Sequence, residues 1–312
     1  MELRKMYVAE LSRLMKQNDK IVILDADLAG AGGTKPLYTE FPDRCIDCGI
    51  AEANMACIAA GLSAQGFVPF IHSFAPFVTR RIYDQIAVSM AYSEQNVRII
   101  GFDPGVTTTS NGGTHMCFED VASLRALCNI AVLDIVDGVQ LVKALPYITE
   151  HKGNMYLRFT RKQSETYWDD NYNFEFGKAD FVREGKDVTV IASGAMLFDA
   201  LKAAEILHEQ HNVEAELLSV HTVKPLDEEA VIKSAQKTRC VLTVENHSIH
   251  GGLYGAVTET LSAKCPTLCD AAAVRDKLTQ VGGLDDLKRD YGLSVDDIVT
   301  RALNLVKNKK RI

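Results

Sequence analysis

The feature that most constrains this chain is an alternation. Short apolar runs of four or five residues recur, separated by amphipathic stretches long enough to be helices. Ile21-Val22-Ile23-Leu24, Phe67-Val68-Pro69-Phe70-Ile71, Val97-Arg98-Ile99-Ile100, Ile130-Ala131-Val132-Leu133 and Met155-Tyr156-Leu157-Arg158-Phe159 read as strands. Helical periodicity covers Arg4 to Gln17, Glu52 to Gln65, Val78 to Ser93 and Val139 to His151. Strands apolar on both faces need cover above and below, and a largely parallel sheet flanked by helices supplies it.

Between Gln163 and Phe176 neither period continues and the composition turns polar and aromatic, which marks a linker. The alternation then restarts with strands at Val188 to Ala192, Ala215 to Ser219 and Cys240 to Val244. Helices follow at Leu197 to Glu209, from Pro225-Leu226-Asp227, after Gly251-Gly252, and near Leu284 to Tyr291 and Ser294 to Val306. The expected fold class is α/β with two doubly wound domains, residues 1–165 and 181–312, joined by a linker at 166–180.

The 312 residues, 47% of them hydrophobic, suffice for two cores. A net charge of -7 argues against a nucleic-acid surface, and the basic run Lys307 to Arg311 is too short to reverse it. No uninterrupted apolar run reaches the ~18 residues of a membrane span. The first ten residues mix charges into a helical period, unlike a signal peptide, so a cytoplasmic location is expected. Eight cysteines scattered through apolar surroundings read as reduced thiols. Cys45-Ile46-Asp47-Cys48 has redox or metal-ligand spacing but no second pair.

Four constellations can carry chemistry. In Cys48-Gly49-Ile50-Ala51-Glu52, a short strand turns into an apolar helix and leaves one carboxylate in the first turn, where it either caps the helix or faces a ligand. Phe74 and Phe77 end a strand three residues apart, as core aromatics or as a clamp for a flat ring. Gly101 to His115 is a long loop of glycine and small polar residues, a substrate loop or a surface connection. Arg158 and Arg161 flank a strand end, holding an anion or lying solvated.

In order and spacing these segments resemble the transketolase family along nearly the whole chain. The resemblance is carried by Arg4-Lys5, Ala26-Asp27-Leu28, Gly49-Ile50-Ala51-Glu52, Phe74/Phe77 with Tyr83-Asp84-Gln85, Thr114-His115 and Arg161. In the second half it rests on His221-Thr222-Val223-Lys224-Pro225-Leu226-Asp227, Glu245-Asn246-His247-Ser248, Gly251-Gly252-Leu253 and Gly282-Gly283. The chain is similar to the two C-terminal domains of a full-length transketolase and, more distantly, to deoxyxylulose-phosphate synthase.

The resemblance implies a pyrimidine-binding domain for thiamine diphosphate followed by a C-terminal domain that is mainly structural. Glu52 would hydrogen-bond the aminopyrimidine and favour the tautomer that activates the cofactor. Phe74 and Phe77 would wall the ring, Asp27 would lie near the cofactor, and His115 would face the substrate carbonyl as donor or proton shuttle. Arg4 and Arg161 would reach a terminal anion of a sugar phosphate. The family's Gly-Glu-Asp-Gly run corresponds to Thr109-Ser110-Asn111-Gly112, so Asn111 takes the place of an acid that reads a substrate hydroxyl. Asp103 stands where many transketolases place a histidine near the substrate phosphate, and an aspartate there repels phosphate unless a cation intervenes.

The Gly-Asp-Gly run with its following Asn, through which the family holds Mg²⁺ and the diphosphate, does not occur here. Mg²⁺ and the diphosphate would then be held by a partner, an N-terminal diphosphate-binding transketolase subunit, in an α2β2 heterotetramer. The β subunit of a 2-oxo acid dehydrogenase and a non-catalytic assembly subunit are the rival expectations.

Overall fold

The computed structural model describes residues 2–162 and 164–309. Of the basic run at 307–311, Lys310 and Arg311 lie outside the described residues, as does Gln163 at the start of the linker stretch.

Among the described residues twelve strands build two sheets: β1 (Ile21–Asp25), β2 (Cys45–Asp47), β3 (Val68–Phe74), β4 (Arg98–Phe102), β5 (Ile130–Asp134), β6 (Asn154–Phe159), β7 (Asp180–Arg183), β8 (Val188–Ala192), β9 (Ala215–Ser219), β10 (Thr222–Lys224), β11 (Cys240–Ser248) and β12 (Leu268–Val274). The first sheet runs β10-β5-β6-β4-β3-β1-β2 and the second β12-β11-β8-β9-β7. Each is parallel except for one antiparallel edge, β10 on β5 and β7 on β9. Burial of β1, β4, β5, β6, β8 and β9 at every residue explains their mostly apolar sequences, since helices cover both faces. The two-domain α/β architecture is the one expected.

Most helices fall where periodicity places them. Leu3–Gln17 buries Leu3, Tyr7, Val8, Leu11, Leu14 and Met15, a single stripe at helical spacing. Asp227 caps Glu228–Thr238 by accepting from the Ala230 N–H at 3.2 Å. The stretch Val78 to Ser93 differs: it is a tight turn at Arg80–Ile82, a short α segment at Tyr83–Gln85 and a wide π segment at Ile86–Tyr92. Widened turns of this kind follow function or packing rather than apolar period, which explains the difference.

Two departures concern how the halves join. β10 comes from the second half of the chain yet pairs with β5 of the first sheet, Thr222 opposite Leu133. The linker stretch docks rather than spans: Phe176 stacks on Tyr147 with centroids 4.9 Å apart, and the N–H groups of Tyr167 and Trp168 donate to Asp137.

Arg158 is the larger correction. It neither holds a ligand anion nor lies in solvent; it is completely buried at the junction of the halves. Its Nη1 donates to both Asp120 oxygens at 2.8 and 2.9 Å, and Nη2 donates to the Asn246 carbonyl at 3.0 Å. Nε lies 3.1 Å from Asp134, close enough for ion pairing but off the axis of a hydrogen bond. Burial pushes the Asp120 carboxyl up, but Arg158 and His247 outweigh it and hold it below its ordinary range. Arg158→Met would strand two buried carboxylates and is expected to cost ~3–5 kcal/mol, read from the urea or guanidinium midpoint. An unchanged midpoint would show that these carboxylates do not need the guanidinium.

Candidate functional site

Glu52 is the first residue of the helix Glu52–Ala64, reached from β2 through Gly49, whose φ of 69° a side chain would strain. The carboxylate is only 4% exposed. It does not cap the helix by bonding its own first N–H groups; its Oε1 accepts from Arg81 Nη1 at 2.7 Å. Phe74, at the end of β3, and Phe77 meet edge to face with centroids 6.1 Å apart. The Arg81 guanidinium lies 3.8 Å from the Phe77 ring centre, so one planar cation both stacks on the aromatic and pairs with the buried acid.

His115 completes this group. Its ring stands edge to face with Phe74 at 5.3 Å and with Phe77 at 5.0 Å. The Thr114 hydroxyl sits 2.8 Å from Nδ1; when that hydroxyl donates, Nε2 carries the proton outward. Burial, then the cations Arg81 and Arg161, lower the imidazole pKa and keep it neutral near pH 7.

The loop that carries His115 is no free connection. It winds as a tight helix over Gly105–Asn111, broken at Thr109, and is pinned from the second half of the chain. Asn246 accepts from the Val106 N–H and donates to the Pro104 carbonyl, both at 2.9 Å. A Cβ on Gly105, at φ 54°, would lie 2.1 Å from Asn246 Oδ1, so only glycine leaves room for this clasp. The second domain therefore shapes the loop directly.

At the far side, Arg4 and Arg161 both donate to the Ala31 carbonyl, at 3.0 and 2.9 Å. The Arg161 guanidinium also covers the Phe74 ring at 4.5 Å, joining this pair of cations to the aromatic group. Asp103 is buried and paired to Arg161 at 2.7 Å rather than open to a ligand. Asn111 is exposed at the end of the loop's helix. Asp27, also exposed, takes a left-handed φ of 57° with its N–H bound to Asp47 at 3.0 Å.

Sequence reading gives Arg81 and Asn246 no function. Arg81 was findable, because a cation four residues after Phe77 can fold back over the ring when the intervening residues turn. Asn246 carries no local signal, since its partners are some 140 residues away. Cys45 and Cys48 are free; burial, then Asp25, pushes the Cys45 thiol up to about 12, the opposite of a reactive thiolate. Among the described residues no group of three or more His, Cys, Asp or Glu could hold a metal ion, and no helix is long and apolar enough to cross a membrane.

A buried carboxylate at a helix N-terminus, two aromatic rings and a histidine thus meet in one group of a two-domain α/β chain. The family models "Transketolase, pyrimidine binding domain" and "Transketolase, C-terminal domain" match residues 1–166 and 177–298. The chain is 46% identical to 6-deoxy-6-sulfo-D-fructose transketolase subunit SqwH of Clostridium sp. (strain MSTE9), over 98% of its own length and 95% of that protein. It is 32% identical to one subunit of the apulose-4-phosphate transketolase of Phocaeicola vulgatus, covering 97% of each. Homo sapiens transketolase is 33% identical over 97% of this chain, which spans 49% of that protein. A solved structure titled "Split gene transketolase, inactive beta4 tetramer" superposes with a TM-score of 0.89 at 34% identity, covering 99% of both chains. The chain belongs to the transketolase family.

Arg81→Gln removes one of the two cations acting on His115. Its pKa is therefore expected to rise toward the ordinary imidazole value in an NMR titration; an unmoved titration would show that Arg81 does not act on the ring.

Proposed function

We propose that this chain is the pyrimidine-binding subunit of a thiamine-diphosphate-dependent transketolase, transferring a two-carbon ketol unit from a ketose to an aldose. The single observation that carries this is the Glu52–Arg81–Phe77 arrangement. A planar, cationic, nitrogen-bearing group stacked on an aromatic and bonded to a buried acid has the chemistry of an aminopyrimidine, so the pocket residues suit that half of the cofactor. The Gly-Asp-Gly run through which the family holds the diphosphate half does not occur in the sequence. We assign that half, with its Mg²⁺, to a partner subunit in an α2β2 assembly.

Thiamine diphosphate, when bound, supplies the carbon nucleophile that the twenty side chains lack. Glu52, shielded from water, holds a proton at the ring nitrogen of the pyrimidine and so fixes its tautomer. Phe74 and Phe77 exclude water and orient the ring. His115, neutral and with Nε2 outward, donates to the carbonyl oxygen of the ketose as negative charge develops there. Arg4 and Arg161 hold the far end of the sugar, Asn111 reads a hydroxyl, and Asp27 lies at the cofactor's edge.

Partner dependence is supported by three exposed apolar side chains, Ile50 two residues before Glu52 and Val88 and Tyr92 on the segment after Arg81, which are 77%, 54% and 82% exposed. It is supported as well by the solved relative, whose title describes a β4 tetramer as inactive. We divide the chain into a pyrimidine-binding unit at 1–165 and a C-terminal unit at 181–312, a division supported by the matched ranges. The relatives carry different end groups in their names, a sulfonate and a phosphate, and so leave the substrate's far end open.

With its partner, Glu52→Gln is expected to lose ketol transfer by about a hundredfold or more while assembling normally, because only the proton at the pyrimidine is affected. Transfer near the wild-type rate would overturn the role given to Glu52. Calorimetry on the isolated chain should show no tight, Mg²⁺-dependent binding of thiamine diphosphate. Tight binding without a partner would overturn the split assignment.

A further inference from the structure

Arg4 and Arg161 are far apart in sequence, yet Nη1 of each reaches the same carbonyl, that of Ala31. Two guanidiniums held this close need compensating charge, and each has one carboxylate. Arg4 Nε pairs with Glu2 at 3.1 Å. Arg161 closes on Asp103 Oδ2 with Nε at 2.8 Å and Nη2 at 2.7 Å. Of the neighbouring lysines, Lys5 lies 3.5 Å from Glu2 and Lys162 donates to the Thr109 hydroxyl at 3.2 Å.

The two carboxylates differ in what they can do when a ligand arrives. The Glu2 side chain is 34% exposed and can turn into water at little cost. Asp103 is 2% exposed and fixed on every side. Its Oδ1 accepts from the Arg161 N–H at 2.8 Å, its own N–H donates to the Phe159 carbonyl at 3.0 Å, and its carbonyl accepts from the Thr108 hydroxyl at 2.7 Å. Its backbone is held left-handed at φ 49°. A ligand anion can therefore displace Glu2 but not Asp103. Lys5 and Lys162 are exposed, so water and salt screen them; within the Ala31 pair itself, two arginines less one buried aspartate leave a single net positive charge.

We propose that Asp103 is a specificity-determining residue that matches this arginine pair to a ketose whose far end bears one negative charge, a sulfonate, and disfavours a doubly charged phosphate ester. This rests on the transketolase assignment above. A sulfonate presents three acceptor oxygens to the arginines and satisfies the one net charge. A phosphate dianion adds a second negative charge close to a buried carboxylate that cannot move away.

The test uses the assembled enzyme with its partner and two matched ketoses, a 6-deoxy-6-sulfo ketose and the corresponding ketose 6-phosphate. At pH above about 7.5 the phosphate is fully dianionic. The wild type is expected to favour the sulfonate by roughly tenfold or more in kcat/KM, the effect of one like charge at short range. Asp103→Asn should shrink that ratio about tenfold, chiefly through KM for the phosphate. Loss of Arg161 positioning alone would lower both substrates together and leave the ratio unchanged, which would overturn the proposal. Equal use of the two ketoses by the wild type would overturn it too. Calorimetric affinities for the same ketoses give the ratio without turnover. Thus, binding that discriminates as expected without ketol transfer would refute the transketolase assignment and leave the charge match standing.

Discussion

The buried guanidinium of Arg158 is the contact on which the rest of the molecule depends. It reaches Asp120 and Asp134 in the first half of the chain and the Asn246 carbonyl in the second, and Asp134 in turn accepts from Ser193 at 2.9 Å. Buried ion pairs add little net stability compared with apolar packing, because desolvation consumes most of the attraction. Their effect here is geometric. The pairing fixes where Asn246 stands, and Asn246 clasps the loop that carries Asp103 at one end and His115 at the other. The position of the histidine is thus set by the seam between the domains.

That seam changes how the second half of the chain should be viewed. Its strand β10 completes the edge of the first sheet, and its Asn246 fills the space that Gly105 leaves by having no side chain. Neither contact touches a ligand. Both restrict the loop's freedom, and a loop restricted before binding has less entropy to lose when it closes on a substrate.

Charge around the aromatic group follows a similar economy. Arg81 and Arg161 cover the aromatic rings and Arg4 shares the Ala31 carbonyl with Arg161, and each is matched by one carboxylate, Glu52, Asp103 or Glu2. The match with Glu52 brings together an acid and a stacked cation where a cofactor ring would lie. The match with Asp103 is permanent because its carboxylate is buried and bonded on both oxygens. One motif, an arginine over an aromatic with an acid behind it, therefore occurs twice with different consequences.

Fold class was legible in the sequence because strands buried on both faces must be mostly apolar, and their helices must repeat every three to four residues. Glu52, the Phe74/Phe77 pair and His115 stood out in the sequence, the first two because short-range spacing fixes their element ends, and the fold brings them together. Edge strands such as β7 and β10 were not legible, being short and only partly apolar. Nor was the state of any arginine. Arg158 and Arg161 lie three residues apart on one strand end, and nothing local separates a guanidinium locked between two buried carboxylates from one lying over an aromatic ring. Their environments are decided by Asp120, Asp134, Asp103 and Asn246, which only folding brings near. The sequence by itself determined which elements form and which side chains could act. The tertiary structure decided which charges meet, because charge pairing depends on distances of a few ångströms between residues that the chain order keeps far apart.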